Sequence, residues 1–257
     1  MHPMARWIGI VALALLGLIA AWAQWNPSLQ TDGPNAEFHF VRIEYRNLPY
    51  VRAGRGRPWW MQDWPAAETH FAQGIERLTH ITLGEGVHLP LTDDRIFDFP
   101  WAYATQVGYW DLSEDEINRL REYLERGGFL VVDDFYGPDA WEVFRESMQR
   151  VFPDRPIIDL PQQHAVMNVL YTLDYRTQIP GLRHLRPDFN GGYFGEPQGT
   201  PYWRGVFDED DRLLVAINHN MDVGDAWEHA DMPQYPEKMT ALAYRFGINY
   251  ILYAMTH

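Results

Sequence analysis

Two adjacent aspartates, Asp133 and Asp134, close the apolar run in "GGFLVVDDFYG", Gly127 to Gly137. A carboxylate left in a closed core costs several kcal/mol unless it is paired or protonated, so the pair marks where a strand leaves the core. Carboxyls at such a place can act as general acid and base or as ligand acceptors. Neighbouring strand residues point to opposite faces, which predicts different tasks for the two: one facing a crevice, the other accepting backbone N–H groups in the turn before Trp141. His164, in "LPQQHAVMN", follows the next strand and could assist at the same edge. Asp133, Asp134 and His164 are therefore the candidate catalytic residues.

A second block, "NHNMDVGDAWE", holds Asn218, His219, Asn220, Asp222 and Asp225, all able to ligate, and ends near Trp227. Oxygen-rich sets of this kind can hold calcium or magnesium, but the spacing is not that of an EF-hand loop and the chain has no HExxH. We assign no metal and no cofactor. "VRAGRGRPWW" sets Arg52, Arg55 and Arg57 beside Trp59 and Trp60, a loop whose guanidinium forks could grip a carboxylate or phosphate. With Tyr109, Trp110, Asn218, Asp222 and Trp227, the residues Arg52, Arg55, Trp59 and Trp60 form the candidate ligand-binding set. The chain has no cysteine, which excludes thiolate chemistry and a disulfide framework. It has no G-x-S-x-G elbow either.

The elements that position these residues are strands alternating with amphipathic helices. "EFHFVRIEY" reads as a strand, and "DWPAAETHFAQGIERLTHIT" as a helix with Asp63 near its start and Ala67, Phe71, Ile75 and Leu78 at helical spacing. "RIFDFPWAYA" reads as a strand. "LSEDEINRLREYLERGG" is a helix with Ser113 and Glu116 in capping-box relation and a stop at Gly127. "FLVVDD" is a strand, "PDAWEVFRESMQRVFP" a helix, and "RPIIDLP" a further strand. Residues 186–211, rich in Gly, Pro and aromatics, read as a long loop insertion that could contain a hairpin. "RLLVAINHN" is again a strand, and "EKMTALAYRFGINYILYAMTH" a closing helix with a possible break at Gly247. The pattern predicts an α/β fold: a three-layer, mostly parallel sheet with helices on both faces.

The N-terminus, "MHPMARWIGIVALALLGLIAAWAQW", places one basic residue before an apolar run that ends in Ala21-Trp22-Ala23. That is the order of a secretory signal over residues 1–23, cleaved before Gln24; an uncleaved N-terminal anchor is the alternative. Residues 24–36 form a polar lead-in and 37–257 a single domain. The expected location is periplasmic or extracellular. Excess acid, 35 Asp+Glu against 21 Lys+Arg for a net charge of -14, argues against nucleic acid and anionic lipid surfaces as partners. Contact with a membrane is expected only through an uncleaved anchor.

Several separated blocks, taken together, resemble a bacterial family known as domain-of-unknown-function family 4159. They are "FVRIEY", "DWPAAETHF", "LSEDEINRLREYLERGGFLVVDD", "VFPDRPIIDLPQQHAVMNVLYTL", "RLLVAINHNMDVGDAWE" and "FGINYILYAMTH". The resemblance implies a fold similar to the class I glutaminase and trehalose-utilisation groups, flavodoxin-like in layering, and an envelope setting. It transfers no reaction. Glutaminases of that fold use a cysteine nucleophile, which this chain lacks, and where the trehalose-utilisation group has a His-Pro pair, this sequence has His164-Ala165. The expected function is a ligand- or partner-binding module at the cell envelope, taking a small molecule or an envelope protein. The alternative is a hydrolase of an envelope carbohydrate or related small substrate using Asp133, Asp134 and His164.

Overall fold

The computed structural model describes residues 36–52, 54, 56–187, 193–195 and 199–257; the proposed signal, most of the polar lead-in and Arg55 lie outside them. In chain order the strands are β1 Val41–Glu44, β2 Val87–Pro90, β3 Trp101–Thr105, β4 Phe129–Phe135, β5 Ile158–Asp159, β6 Leu185–Pro187, β7 Tyr193–Gly195, β8 Tyr202–Phe207 and β9 Leu213–His219. The α-helices are α1 Ala66–Leu78, α2 Glu114–Glu125, α3 Gly137–Val151, α4 Val223–Glu228 and α5 Glu237–Thr256. Seven strands form one mixed sheet in the order β2-β1-β3-β4-β9-β8-β5. The first five are mutually parallel; β8 runs antiparallel to β9, and the edge strand β5, antiparallel to β8, returns to the direction of the first five. This is an α/β fold with a mostly parallel sheet.

Alternation along the central strands feeds two apolar clusters. Trp101, Tyr103, Phe129, Val131 and Ala216 pack with Phe71 and Ile75 of α1 and with Phe246, Tyr250 and Tyr253 of α5. Ala102, Ala104, Leu130, Val132 and Ile217 pack with Ile117, Leu120 and Leu124 of α2 and with Phe144, Met148 and Val151 of α3. Burial on both faces explains why β3, β4 and β9 read as nearly continuous apolar runs. The capping box forms as the sequence requires: Glu116 N–H donates to Ser113 Oγ at 3.3 Å, and Ser113 N–H to Glu116 Oε2 at 2.7 Å. Among the described residues no helix is long and apolar enough to cross a membrane.

Three expectations need correction. Only the last four residues of "RIFDFPWAYA" belong to a strand, Trp101–Thr105, because Asp94–Asp98 turns as a 3-10 helix capped by the Asp93 side chain, which accepts from Arg95 N–H at 3.0 Å. The 186–211 segment is not one loop. The hairpin allowed for there is the β6–β7 antiparallel pair, but the segment also holds β8, a full strand of the main sheet. Gly205 disguised β8 as loop in the sequence, yet a Cβ there would lie 2.3 Å from Leu213 Cδ1, so close packing requires the glycine. Finally, α5 runs through Gly247 without a break.

Gly247 serves an approach between helices, since a Cβ would fall 2.5 Å from Phe71 Cζ and 2.8 Å from Trp227 Cζ2. Gly247→Ala, which ordinarily favours a helix, is expected instead to destabilise by about 1–3 kcal/mol through overpacking. Urea midpoints of the two proteins check this; an unchanged or higher midpoint would mean the rings yield freely.

Candidate functional site at the carboxyl ends of the parallel strands

β4 does not end as a regular strand. Val132 pairs with Ile217 and Phe135 with His219, so Asp133 and Asp134 share the space opposite one residue of β9 in a bulge. Asp134 has φ 52°, in the left-handed region that Asp tolerates better than most residues. The bulge interrupts the alternation expected to separate the two carboxylates, and both are buried, at 0% and 1% exposure. Neither faces solvent as the sequence reading required of one of them. Positive φ recurs at Asp63 (65°), at Gln106 after β3 (54°) and at Asn220 after β9 (60°). Four of the five such non-glycine residues among those described thus lie at one end of the sheet, a concentration of strain that fits a built site.

The carboxylates meet there through separate anchors. Asp133 Oδ2 accepts from Val223 N–H at 2.7 Å, Gly224 N–H at 2.9 Å and Tyr103 OH at 3.0 Å. It therefore ties α4 and β3 to β4, where the sequence had suggested the turn before Trp141. Asp134 accepts from Gln106 Nε2, and the Arg183 guanidinium stands 3.7 Å from its Oδ1. Asp222 caps α4, accepting from Asp225 N–H at 2.8 Å, and Asp225 Oδ2 accepts from Leu182 N–H at 2.6 Å. Asp63 Oδ1 accepts from Gln62 Nε2 at 2.6 Å. Among the described residues, the buried oxygens Asp63 Oδ2, Asp133 Oδ1 and Asp134 Oδ1 have no hydrogen-bond donor. One ligating atom from each of Asp63, Asp222 and Asp225 lies within 4.8 Å of the others, as do those of Asp225, Glu228 and His229.

Burial drives the electrostatics of the cluster. Desolvation, its main cause, pushes the Asp133 carboxyl up to about 7 and the Asp134 carboxyl to about 8, the latter also repelled by Asp225. Asp63 and Asp222 are held well above the ordinary carboxylate range by burial first and then by neighbouring acids, and Glu228 is raised by burial. Burial also raises the hydroxyls of Tyr103, Tyr136 and Tyr235. Such a set holds protons at neutral pH or needs positive charge brought to it.

Arg42, fully buried in β1, supports the site from below and was not singled out in the sequence. Its Nε donates to Glu68 Oε1 at 2.5 Å, and Nη1 donates to the carbonyls of Trp60 at 3.1 Å and Gln62 at 2.8 Å. It fixes the turn that carries Asp63. A lone arginine inside the apolar stretch "FVRIEY" was the available signal, because a charge at a two-face-buried position demands an acidic partner.

The other expected site residues are dispersed. His164 accepts from Val166 N–H through Nδ1 and donates Nε2–H to Asp211 O at 3.1 Å, and it lines a pocket of about 500 Å³ with Asp208, Asp211, Tyr253 and His257. Asp211 precedes β9 whereas Asp222 follows it, so a seven-residue strand, about 20 Å long, separates His164 from the carboxylates. The structure does not bring Asp133, Asp134 and His164 together. Trp60, Trp110, Asn218 and Trp227 are buried. Trp110 Nε1 donates to Ser147 Oγ at 3.0 Å, Asn218 Oδ1 accepts from Tyr250 OH at 2.9 Å, and Trp227 stacks on Phe71. Arg52 is exposed; its carbonyl accepts from Trp59 Nε1, and Trp59 packs on Tyr109. Asp222 alone of that set joins the acidic cluster, together with Asp63 and Asp225.

These arrangements belong to a recognised domain type. The profile described as "Domain of unknown function (DUF4159)" matches residues 39–255. The chain belongs to this family. No curated protein matches it. In this DUF4159 chain, the match spans β1 to α5 and every acidic residue of the cluster.

One histidine beside the site allows a pH test of the DUF4159 fold. His219 sits among Phe135, Trp141 and Tyr202, donates Nε2–H to Gly137 O at 3.2 Å, and is lowered to about 4, chiefly by burial. A depressed folded value means the contribution is present above the unfolded value near 6.5 and is lost as pH falls through about 4. His219→Gln should therefore lose less stability than the parent between pH 7 and pH 4. Equal losses in urea titrations at the two pH values would remove His219 from the acid response.

Proposed function

We propose that this chain is an exported envelope protein whose α/β domain binds a small polar ligand at the carboxyl ends of its parallel strands. The convergence of Asp63, Asp134, Asp222 and Asp225 there, with Arg183 at the rim, carries the reading. Open α/β sheets receive ligands at this end where adjacent strands send their connections in opposite directions, as β1 does toward α1 and β3 toward α2. The parallel part of the sheet, β2-β1-β3-β4-β9, has the doubly wound order 2-1-3-4-5. That order supports the finer reading of a three-layer, glutaminase-like and flavodoxin-like architecture. The accessible groups are Arg183, Glu228, His229 and Asp225, with side-chain exposures of 55%, 27%, 20% and 11%. A ligand bearing cationic or hydroxyl groups suits them. Export rests on the N-terminal signal pattern, and intact mass of the secreted protein is expected to begin near Gln24.

The test is a thermal-shift screen of small polar metabolites and envelope-derived oligosaccharides, with each stabilising compound titrated against Asp225→Asn and His164→Ala. Binding should be lost in Asp225→Asn and kept in His164→Ala. The reverse pattern would move the site to the opposite end of β9.

A hydrolase of an envelope carbohydrate is the second reading, favoured by one observation: Asp133 and Asp134 are raised to values at which a carboxyl can donate a proton near neutrality. His229, with Nε2 3.4 Å from Glu228 and 3.7 Å from Asp225, replaces the remote His164 as the assisting imidazole. Product release from an oligosaccharide that Asp134→Asn abolishes would establish catalysis over binding alone.

A further inference from the structure

We propose that Asp63, Asp222 and Asp225 hold a hard divalent cation, of the calcium, magnesium or manganese class, at the start of α4. This rests on reading the carboxyl ends of the strands as the ligand site, and it departs from the sequence, which by itself assigned no metal. The three residues come from two distant stretches of chain, one before α1 and one after β9. Each is fixed by its own hydrogen bond: Asp63 by Gln62, Asp222 by Asp225 N–H and Asp225 by Leu182 N–H. Their ligating oxygens fall within 4.8 Å of one another. Oxygens bound to one ion at about 2.3–2.6 Å can be no farther apart than about 5 Å, so the spacing fits a shared cation.

The independent observation is Asp63 Oδ2. Asp63 is only 6% exposed, and among the described residues this oxygen has no hydrogen-bond donor. It is turned toward Gly224, where a Cβ would lie 2.9 Å from it, between Asp222 and Asp225 in sequence. Gly181 clears the other side, where a Cβ would stand 2.7 Å from Asp222 Oδ2. The two glycines thus let the carboxylate oxygens of Asp63, Asp222 and Asp225 come up against the backbone, where any side chain would displace them. Among the described residues, none of the three carboxylates is ion-paired with lysine or arginine. Buried anions at this spacing require neutralisation, either by protons shared among them or by a cation. An all-carboxylate set favours hard cations over zinc or copper, while His229 lies outside it, 3.7 Å from Asp225.

Manganese alone is the probe. The secreted protein, stripped with EDTA and dialysed, is titrated with Mn²⁺ while the free-ion paramagnetic resonance signal is recorded. One equivalent should bind and be displaced by Ca²⁺ or Mg²⁺. Asp63→Asn and Asp225→Asn, which keep an acceptor oxygen for their hydrogen bonds, should each weaken binding by about tenfold or more, whereas His164→Ala should leave it unchanged. Circular dichroism confirms that each variant is folded. A folded parent that leaves all Mn²⁺ free, or two carboxylate variants that bind as the parent does, would overturn the cation site. Repeating the metabolite screen in EDTA separates this from the ligand reading. Hits that require Asp225 in EDTA, with no Mn²⁺ binding, discard the cation and keep the ligand site; Mn²⁺ binding through Asp225 beside hits that require His164 does the opposite.

Discussion

Asp133→Ala is expected to cost about 3 kcal/mol or more of folding stability, because each buried donor left without an acceptor costs about 1–3 kcal/mol. Three donors lose theirs: Val223 N–H, Gly224 N–H and Tyr103 OH. They belong to α4 and β3, so one truncation loosens the junction among three elements. Asp133→Asn should cost only about 1 kcal/mol, since an amide oxygen can take the same three bonds. The carboxyl is already raised toward neutral pH by burial, which makes the neutral amide a close electrostatic substitute. Denaturant titrations of both variants decide the matter. Equal losses would mean that charge, not the hydrogen-bonded oxygen, does the anchoring.

Arg42→Met is the second large effect, at about 3–5 kcal/mol, the usual cost of stranding one member of a buried ion pair. Glu68, at 5% exposure, would be left without its cation, and the carbonyls of Trp60 and Gln62 without their donor. Adding Glu68→Leu should restore more than half of the loss, because an apolar pair avoids the desolvation of both charges. Equilibrium unfolding of single and double variants measures the recovery. No recovery would assign Arg42's contribution to the two carbonyls and thus to the turn bearing Asp63.

Local signals in the sequence carried far where the determinant was local. The capping box at Ser113 and the apolar run of β4 depend on neighbours a few residues apart, and both appear as read. β8 escaped because its glycine answers to Leu213 across the sheet, a contact that composition does not record. Asp133, Asp134 and Asp222 were visible as acids beside apolar runs, and their position at strand ends was legible. Their grouping with Asp63 was not, since Asp63 and Asp225 are brought together by the parallel order of β1, β3, β4 and β9. His164 was misplaced for the same reason. A loop after the next candidate strand was taken to stay at the carboxyl end of β4; the edge strand β5 does run in the direction of β4, but the loop after it turns back to the beginning of β9.

Hydrogen exchange with and without the strongest compound from the metabolite screen tests most directly whether the carboxyl ends of the strands are the functional surface. Slowed exchange is expected in peptides covering 61–66, 179–184 and 220–230, which carry Asp63, the Leu182 amide held by Asp225, and the Asp222–His229 turn of helix. Slowing confined to 162–168 and 208–213, around His164 and Asp211, would contradict it.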